Sequence, residues 1–139
     1  MKYSRRNFAL LLPAIAAAQD SAGTLPSKAY KFADLPAKVN EKTGSIGHSV
    51  FDGRTYNGYP LAVHITELPA GASPHPPHKH EHEEMFMIQT GVLEVMVNGK
   101  SQRIGAGSVF YVHSMEEHGV RNPGTERVQY FVTEIGAKS

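Results

Sequence analysis

From about Gly44 onward, apolar and β-branched residues recur in short alternating runs broken by Gly, Pro and Asn. Alternation with a period of two puts successive side chains on opposite faces, so each run predicts a half-buried strand. Tyr59 to Leu68 (YPLAVHITEL) is one, stopped by Pro69-Ala70-Gly71. Met85 to Thr90 and Val92 to Val97 are two more, hinged at Gly91. Asn98-Gly99 predicts a tight hairpin, because a type I′ turn needs positive φ at both central residues, and Lys100 to Ile104 pairs back across it. Ser108 to Val112, His118 to Arg121 and Arg127 to Ile135 complete the series, with Asn122-Pro123-Gly124 as a turn. No amphipathic helical pattern of useful length interrupts them. Many short antiparallel strands at this spacing predict an all-β fold, a sandwich or a small single barrel. Phe86, Ile88, Phe110, Val112 and Phe131 are its expected core.

The N-terminal third reads differently. Met1 to Ala18 combines a basic start, the apolar stretch Ala9 to Ala18 and a small-residue end, Ala16-Ala17-Ala18. That is the pattern of a secretory leader cleaved before Gln19. Ser4, Arg5, Arg6 and Phe8 resemble the twin-arginine signal, which carries proteins already folded; an ordinary secretory leader is the other reading. Residues 19–43 are rich in Ser, Ala, Pro and Lys and read as a linker and extended arm. Residues 44–139 form the β domain.

The leader changes the charge. It holds three of the fourteen basic residues (Lys2, Arg5, Arg6), so the remainder has eleven against thirteen acids, near −2. The basic footprint of a nucleic-acid binder is therefore absent. No other apolar run approaches the roughly 18 residues of a membrane helix. Export implies a periplasmic or secreted protein. The chain has no cysteine, which removes disulfides, thiolate metal sites and a thiol nucleophile.

Chemistry concentrates in one segment. His75, His78, His80 and His82 fall within eight residues, followed by Glu83 and Glu84. Imidazole and carboxylate suit first-row divalent metals. On a strand, His78 and His80 would share a face, Glu84 would enter from the next strand, and His118 from a third segment.

These residues closely resemble the two motifs of the cupin family. Gly71, His78-Lys79-His80, Glu84 and Gly91 follow the first motif, with a spacer of six residues after Gly71 where about five are usual. Gly107, His118 and Asn122 follow the second, but His113 stands where Pro is expected and Met115 where Gly is expected. The departures touch a turn and not a ligand. The resemblance covers roughly Leu61 to Glu134. It implies a small β-barrel or jelly roll whose metal ligands are His78, His80, Glu84 and His118. It also implies one divalent transition metal (Fe, Mn, Ni, Cu or Zn), a small-molecule ligand or substrate, and a homodimer in which the arm could pair across subunits.

His75 and His82 lie outside the motif. His82 has the parity of the ligand face, but the family places a turn there. His64 is open between the cavity and the surface, and Glu83, Glu116 and Glu117 read as solvated or turn acids. Three imidazoles and one carboxylate leave one or two positions open on a five- or six-coordinate metal, a catalytic arrangement in form. Glu84 is also a candidate base if it detaches. Three functions stay open: a dioxygenase-type oxidoreductase resembling the quercetin dioxygenase-like cupins, a non-catalytic module binding a small ligand or metal, and a metal-dependent sugar isomerase.

Overall fold

Alternation decides which side chains face inward, and the strands follow it. A computed structural model describes residues 23–138. The leader, with its twin-arginine pattern, lies outside the described residues. Among the described residues nine strands form: β1 (Ala37–Val39), β2 (Ile46–Arg54), β3 (Pro60–Leu68), β4 (Glu83–Thr90), β5 (Val92–Val97), β6 (Lys100–Gly105), β7 (Val109–Val112), β8 (His118–Arg121) and β9 (Val128–Ile135). They make a six-stranded sheet in the order β1-β2-β3-β9-β4-β7 and a three-stranded sheet in the order β6-β5-β8. Every strand pair is antiparallel. The result is an all-β antiparallel jelly roll. Among the described residues no helix is long and apolar enough to cross a membrane.

The core lies between the two sheets. Leu68, Phe86, Ile88, Val112, Val128, Tyr130 and Val132 from the large sheet meet Leu93, Val95 and Val120 from the small one. On β9 the inward set is Val128, Tyr130 and Val132, all nearly fully buried. Removing such alternating side chains from water is the main drive for closing the two sheets.

Two turns fix the register. Asn98 (φ 48°) and Gly99 (φ 78°) both adopt positive φ between β5 and β6, as the expected hairpin requires. Gly91 (φ 80°) turns β4 into β5, and a Cβ there would come within 3.3 Å of Val128. Glycine meets both demands without strain.

The observed strands depart from expectation in three places. The strand expected from Met85 starts two residues earlier, at Glu83, which puts Glu84 at the start of β4, the strand from which it was expected to enter. Residues 23–43 are joined to the large sheet: β1 pairs with β2, and Thr24 bridges Arg54. All three residues of β1 are exposed, so no alternation marked it, and a bulge between Ser49 and Phe51 breaks the alternation of β2. Phe131 is not in the core. It alternates outward from Tyr130 and Val132 and lines an outer groove with Tyr30, Phe32 and Ile65. The arm covers that face, which is why Ile65 is buried although it points away from the core.

Candidate metal centre

The inward alternation that is apolar at one end of the barrel turns polar at the other. Along β3 the inward positions run Leu68, Thr66, His64. Along β9 they run Val128, Tyr130, Val132, Glu134, and along β4 Ile88, Phe86, Glu84. Glu84 and Glu134 are direct cross-strand partners. A cavity of about 350 Å³ opens over this end. Its lining includes His64, His75, His78, His80, His82 and His118, six of the eight histidines in the chain, together with both glutamates.

His78 and His80 do not sit on a regular strand. They belong to the irregular segment before β4, where Pro74, Pro76 and Pro77 favour extended backbone. His78 is pinned by a two-bond bridge to the first residue of β8: its N–H donates to His118 O at 3.0 Å and its carbonyl accepts from His118 N at 2.9 Å. His80 is pinned by Met115, whose N–H donates to His80 O at 2.8 Å. His118 is 1% exposed and Glu84 8%.

The ring nitrogens of His78, His80 and His118 converge, as do those of His80 and His82 with a carboxylate oxygen of Glu84; in each group the atoms lie within 4.8 Å of one another. Ring centroids of His78, His80 and His118 form a triangle of 4.7, 4.8 and 5.0 Å. His118 Nδ1 faces Glu116 O at 2.9 Å and His80 Nδ1 faces His82 O at 2.7 Å. A carbonyl only accepts, so both Nδ1 atoms carry the proton and both Nε2 atoms are left as lone pairs when the rings are neutral. Those Nε2 atoms point at Glu84 Oε2, at 3.0 Å from His118 and 3.6 Å from His80. Lone pairs facing a buried carboxylate are incomplete without a cation between them. His80 Nε2 and His78 Nδ1 are also buried without a partner. The donor set therefore fits a divalent metal.

Burial favours the neutral, ligating form at three of the cavity's rings. Burial, reinforced by the neighbouring His75, His118 and His80, lowers the pKa of His78 from its usual 6.5. Burial likewise lowers His82 and, against the pull of Glu134, His64. A lowered histidine pKa favours the neutral imidazole that metals bind.

Several residues had no motif to mark them. Glu134 faces the cavity, with Oε1 3.5 Å from His64 Nδ1 and Oε2 2.7 Å from Lys138 Nζ. Its only sequence signal is parity, since an acid follows three inward apolar positions on β9. Parity also marked His82, whereas His64, left open between cavity and surface by the sequence, lines the cavity. Tyr130 is buried at the cavity floor, and that burial pushes its hydroxyl pKa well up. His75 stacks edge-on against His78 at 4.3 Å. Glu83 points outward beside Tyr111. Glu116 contributes its carbonyl to His118 and a side-chain oxygen to Asn98.

The Cupin domain family profile matches residues 64–134. No curated protein sequence matches the chain significantly. Solved structures do share its fold. An RmlC-like cupin from Shewanella frigidimarina superposes with a TM-score of 0.65 at 20% identity, over 80% of this chain and 93% of that one. A predicted oxalate decarboxylase from Thermotoga maritima gives 0.65 at 22%, over 79% and 100%. A cupin-superfamily sugar phosphate isomerase from Silicibacter pomeroyi gives 0.63 at 13%, over 79% and 76%. At these identities the likeness is one of fold, and the neighbours' differing chemistries leave the reaction to be argued from the cavity. The match across residues 64–134, which holds both ligand-bearing segments and the strands between them, makes this chain a member of the Cupin domain family.

Proposed function

We propose that the protein is an exported, mononuclear metal-dependent oxidoreductase of the dioxygenase type, acting on a small oxygen-rich substrate. The observation that carries this reading is the composition of the cavity. Histidines and one buried carboxylate gather in an open, partly apolar pocket, and among the described residues none that lines it is Lys or Arg. Lys138 reaches Glu134 at the cavity wall but is held there by Glu134 and Asp52, and the arginines that could grip a phosphate are engaged outside the cavity. Arg103 and Arg121 pair with Glu94, Arg54 bonds Gly58 O, and Arg127 bonds Gly44 O and Glu67 O. This weighs against a phosphosugar isomerase and for an enol or phenol substrate.

His78, His80, His118 and Glu84 would hold the metal, which when bound supplies Lewis-acid and one-electron chemistry toward a substrate oxygen and dioxygen. The two backbone carbonyls on His80 and His118 fix the ligating tautomer. Phe86, Val120 and Val132 wall the pocket and limit water. Glu84, if released from the metal, is placed to accept a substrate proton.

The leader supports periplasmic or secreted placement, and the twin-arginine pattern supports folding and metal loading before export. That order lets metal availability in the cell override the intrinsic preference for copper and zinc. The arm on β2 is the proposed element of a homodimer.

The test is metal content of the mature protein, purified from its export route without added metal, beside His78→Ala and His118→Ala. Near one iron, manganese, nickel or copper per wild-type chain, absent from both variants, is expected. Oxygen uptake with polyphenol and 1,3-diketone panels should follow the metal. Ligand-induced melting shifts without uptake would turn the assignment to a binding module, and wild type without stoichiometric metal would end it.

A further inference from the structure

His82 is no part of the cupin pattern, yet three contacts pack it into the ligand cluster. Its backbone carbonyl receives His80 Nδ1–H at 2.7 Å. Its ring lies flat on the His80 ring, centroids 3.5 Å apart and planes 4° apart. Its Nε2 faces Glu84 Oε1 at 3.8 Å, whereas His80 and His118 face the other oxygen, Oε2. The side chain is 12% exposed.

An imidazole lone pair lies in the ring plane, so a bound ion lies close to that plane. Two parallel rings 3.5 Å apart cannot both have one ion in plane. His80 and His118 converge on Oε2, so an ion they share gathers there and His82 is left with Oε1. The tautomer follows from burial. His82 Nδ1 is buried with no partner, so a proton there would be a stranded donor, which is costly. The proton of the neutral ring belongs on Nε2, aimed at Oε1. Rotating the carboxylate about its terminal torsion, which is soft, shortens the 3.8 Å separation toward hydrogen-bond length.

We infer that His82 is a positioning residue that holds the free oxygen of Glu84, so that this carboxylate ligates a divalent metal through one oxygen only and a coordination position stays open to substrate. The inference rests on the metal centre proposed above. Without His82, Glu84 can swing to bind through both oxygens and occupy the open position.

The experiment titrates metal-stripped full-length protein with cobalt(II), reading affinity and the visible ligand-field spectrum. Wild type binds one cobalt. His82→Ala and His82→Phe are expected to weaken binding about 10- to 100-fold, the range for loss of an outer-shell partner, and to change band intensity as the coordination number changes. His82→Phe keeps a flat ring on His80 but has no donor, so it separates donation from stacking. His82→Gln restores a donor and should recover most of the affinity and the spectrum. The inference is overturned if His82→Phe binds like wild type, or if His82→Gln is no better than His82→Phe. Wild type that takes up no cobalt removes the metal centre and this role with it, whereas normal wild-type uptake with unaltered variants removes only the role of His82.

Discussion

Two segments deliver the proposed ligands, and they are built in opposite ways. Residues 75–84 hold four histidines and Glu84, but until β4 begins they have no sheet ladder of their own. Residues 113–122 deliver one ligand, His118, at the first position of β8 and 1% exposed. The ligand-rich segment is held by the ligand-poor one, through the His78–His118 bridge and the Met115 to His80 hydrogen bond. Donor density and rigidity are therefore carried by different parts of the chain. An irregular segment can expose many ring nitrogens to one point, and a neighbouring strand end fixes where that point lies.

The largest expected effect sets the two segments against each other. His118→Ala and His78→Ala should both lose stoichiometric metal, but their metal-free forms should differ. His118 Nε2 is the nearest partner of buried Glu84, at 3.0 Å. In the metal-free form the value of the His118 ring lies in packing and in its own hydrogen bond: removing this ring deletes the Nδ1–H bond to Glu116 O and opens a void in the buried cavity wall, at a cost of about 2–3 kcal/mol. His78, at the partly exposed edge of the cavity, should cost the metal-free protein under about 1 kcal/mol, as expected away from buried networks. Urea unfolding of both stripped variants measures this. Equal losses would mean that the two segments share the structural work.

A smaller effect probes what holds the second segment. Asn122 is 1% exposed. Its Nδ2 donates to Leu68 O at 2.9 Å and Glu126 O at 2.7 Å, and its Oδ1 accepts from Gly124 N at 3.0 Å. Asn122→Ala strands these backbone groups and should cost about 2 kcal/mol. Because β8 carries His118, metal affinity should fall as well, although Asn122 touches no ligand. Urea midpoints and metal titration check both. Lost stability with unchanged affinity would show that His118 is placed by its own bridge to His78 alone.

The same contrast explains what the sequence made legible. β5 and β8 have the bounds that alternation predicted, because turns with required φ values flank β5 and the motif frames β8. Glu84, His118 and the two motif histidines of the first segment were visible as a pattern of residue types at fixed spacing. Glu134 and His82 were not, for two physical reasons. Glu134 gains its place only when β9 pairs with β4 and sets it opposite Glu84, a contact between residues fifty apart in the chain. His82 had the right parity, but parity is informative only on a strand, and residues 81–82 are a bend. Phe131 shows the converse: a large apolar side chain suggested core, yet β9 turns it toward a face that the arm covers.

The smallest effect concerns the turn where the chain departs from its family. Met115 stands where glycine is expected and adopts φ 64°, a left-handed conformation that costs an L-residue about 1–2 kcal/mol. The departure therefore changed the residue and kept the turn, because Met115 N–H must reach His80 O. The side chain is 52% exposed, so little packing offsets the strain. Met115→Gly removes the strain but loosens the unfolded chain, a loss of about 0.5–1 kcal/mol. The net expectation is a gain of about 0.5 kcal/mol, read as a higher urea midpoint with an unchanged slope. A gain would locate stored strain in the rigid segment, at the one hydrogen bond that ties His80 to it. A loss would mean that the methionine side chain itself braces the ligand segment, and the division between a rigid holder and a flexible donor would have to be redrawn at that residue.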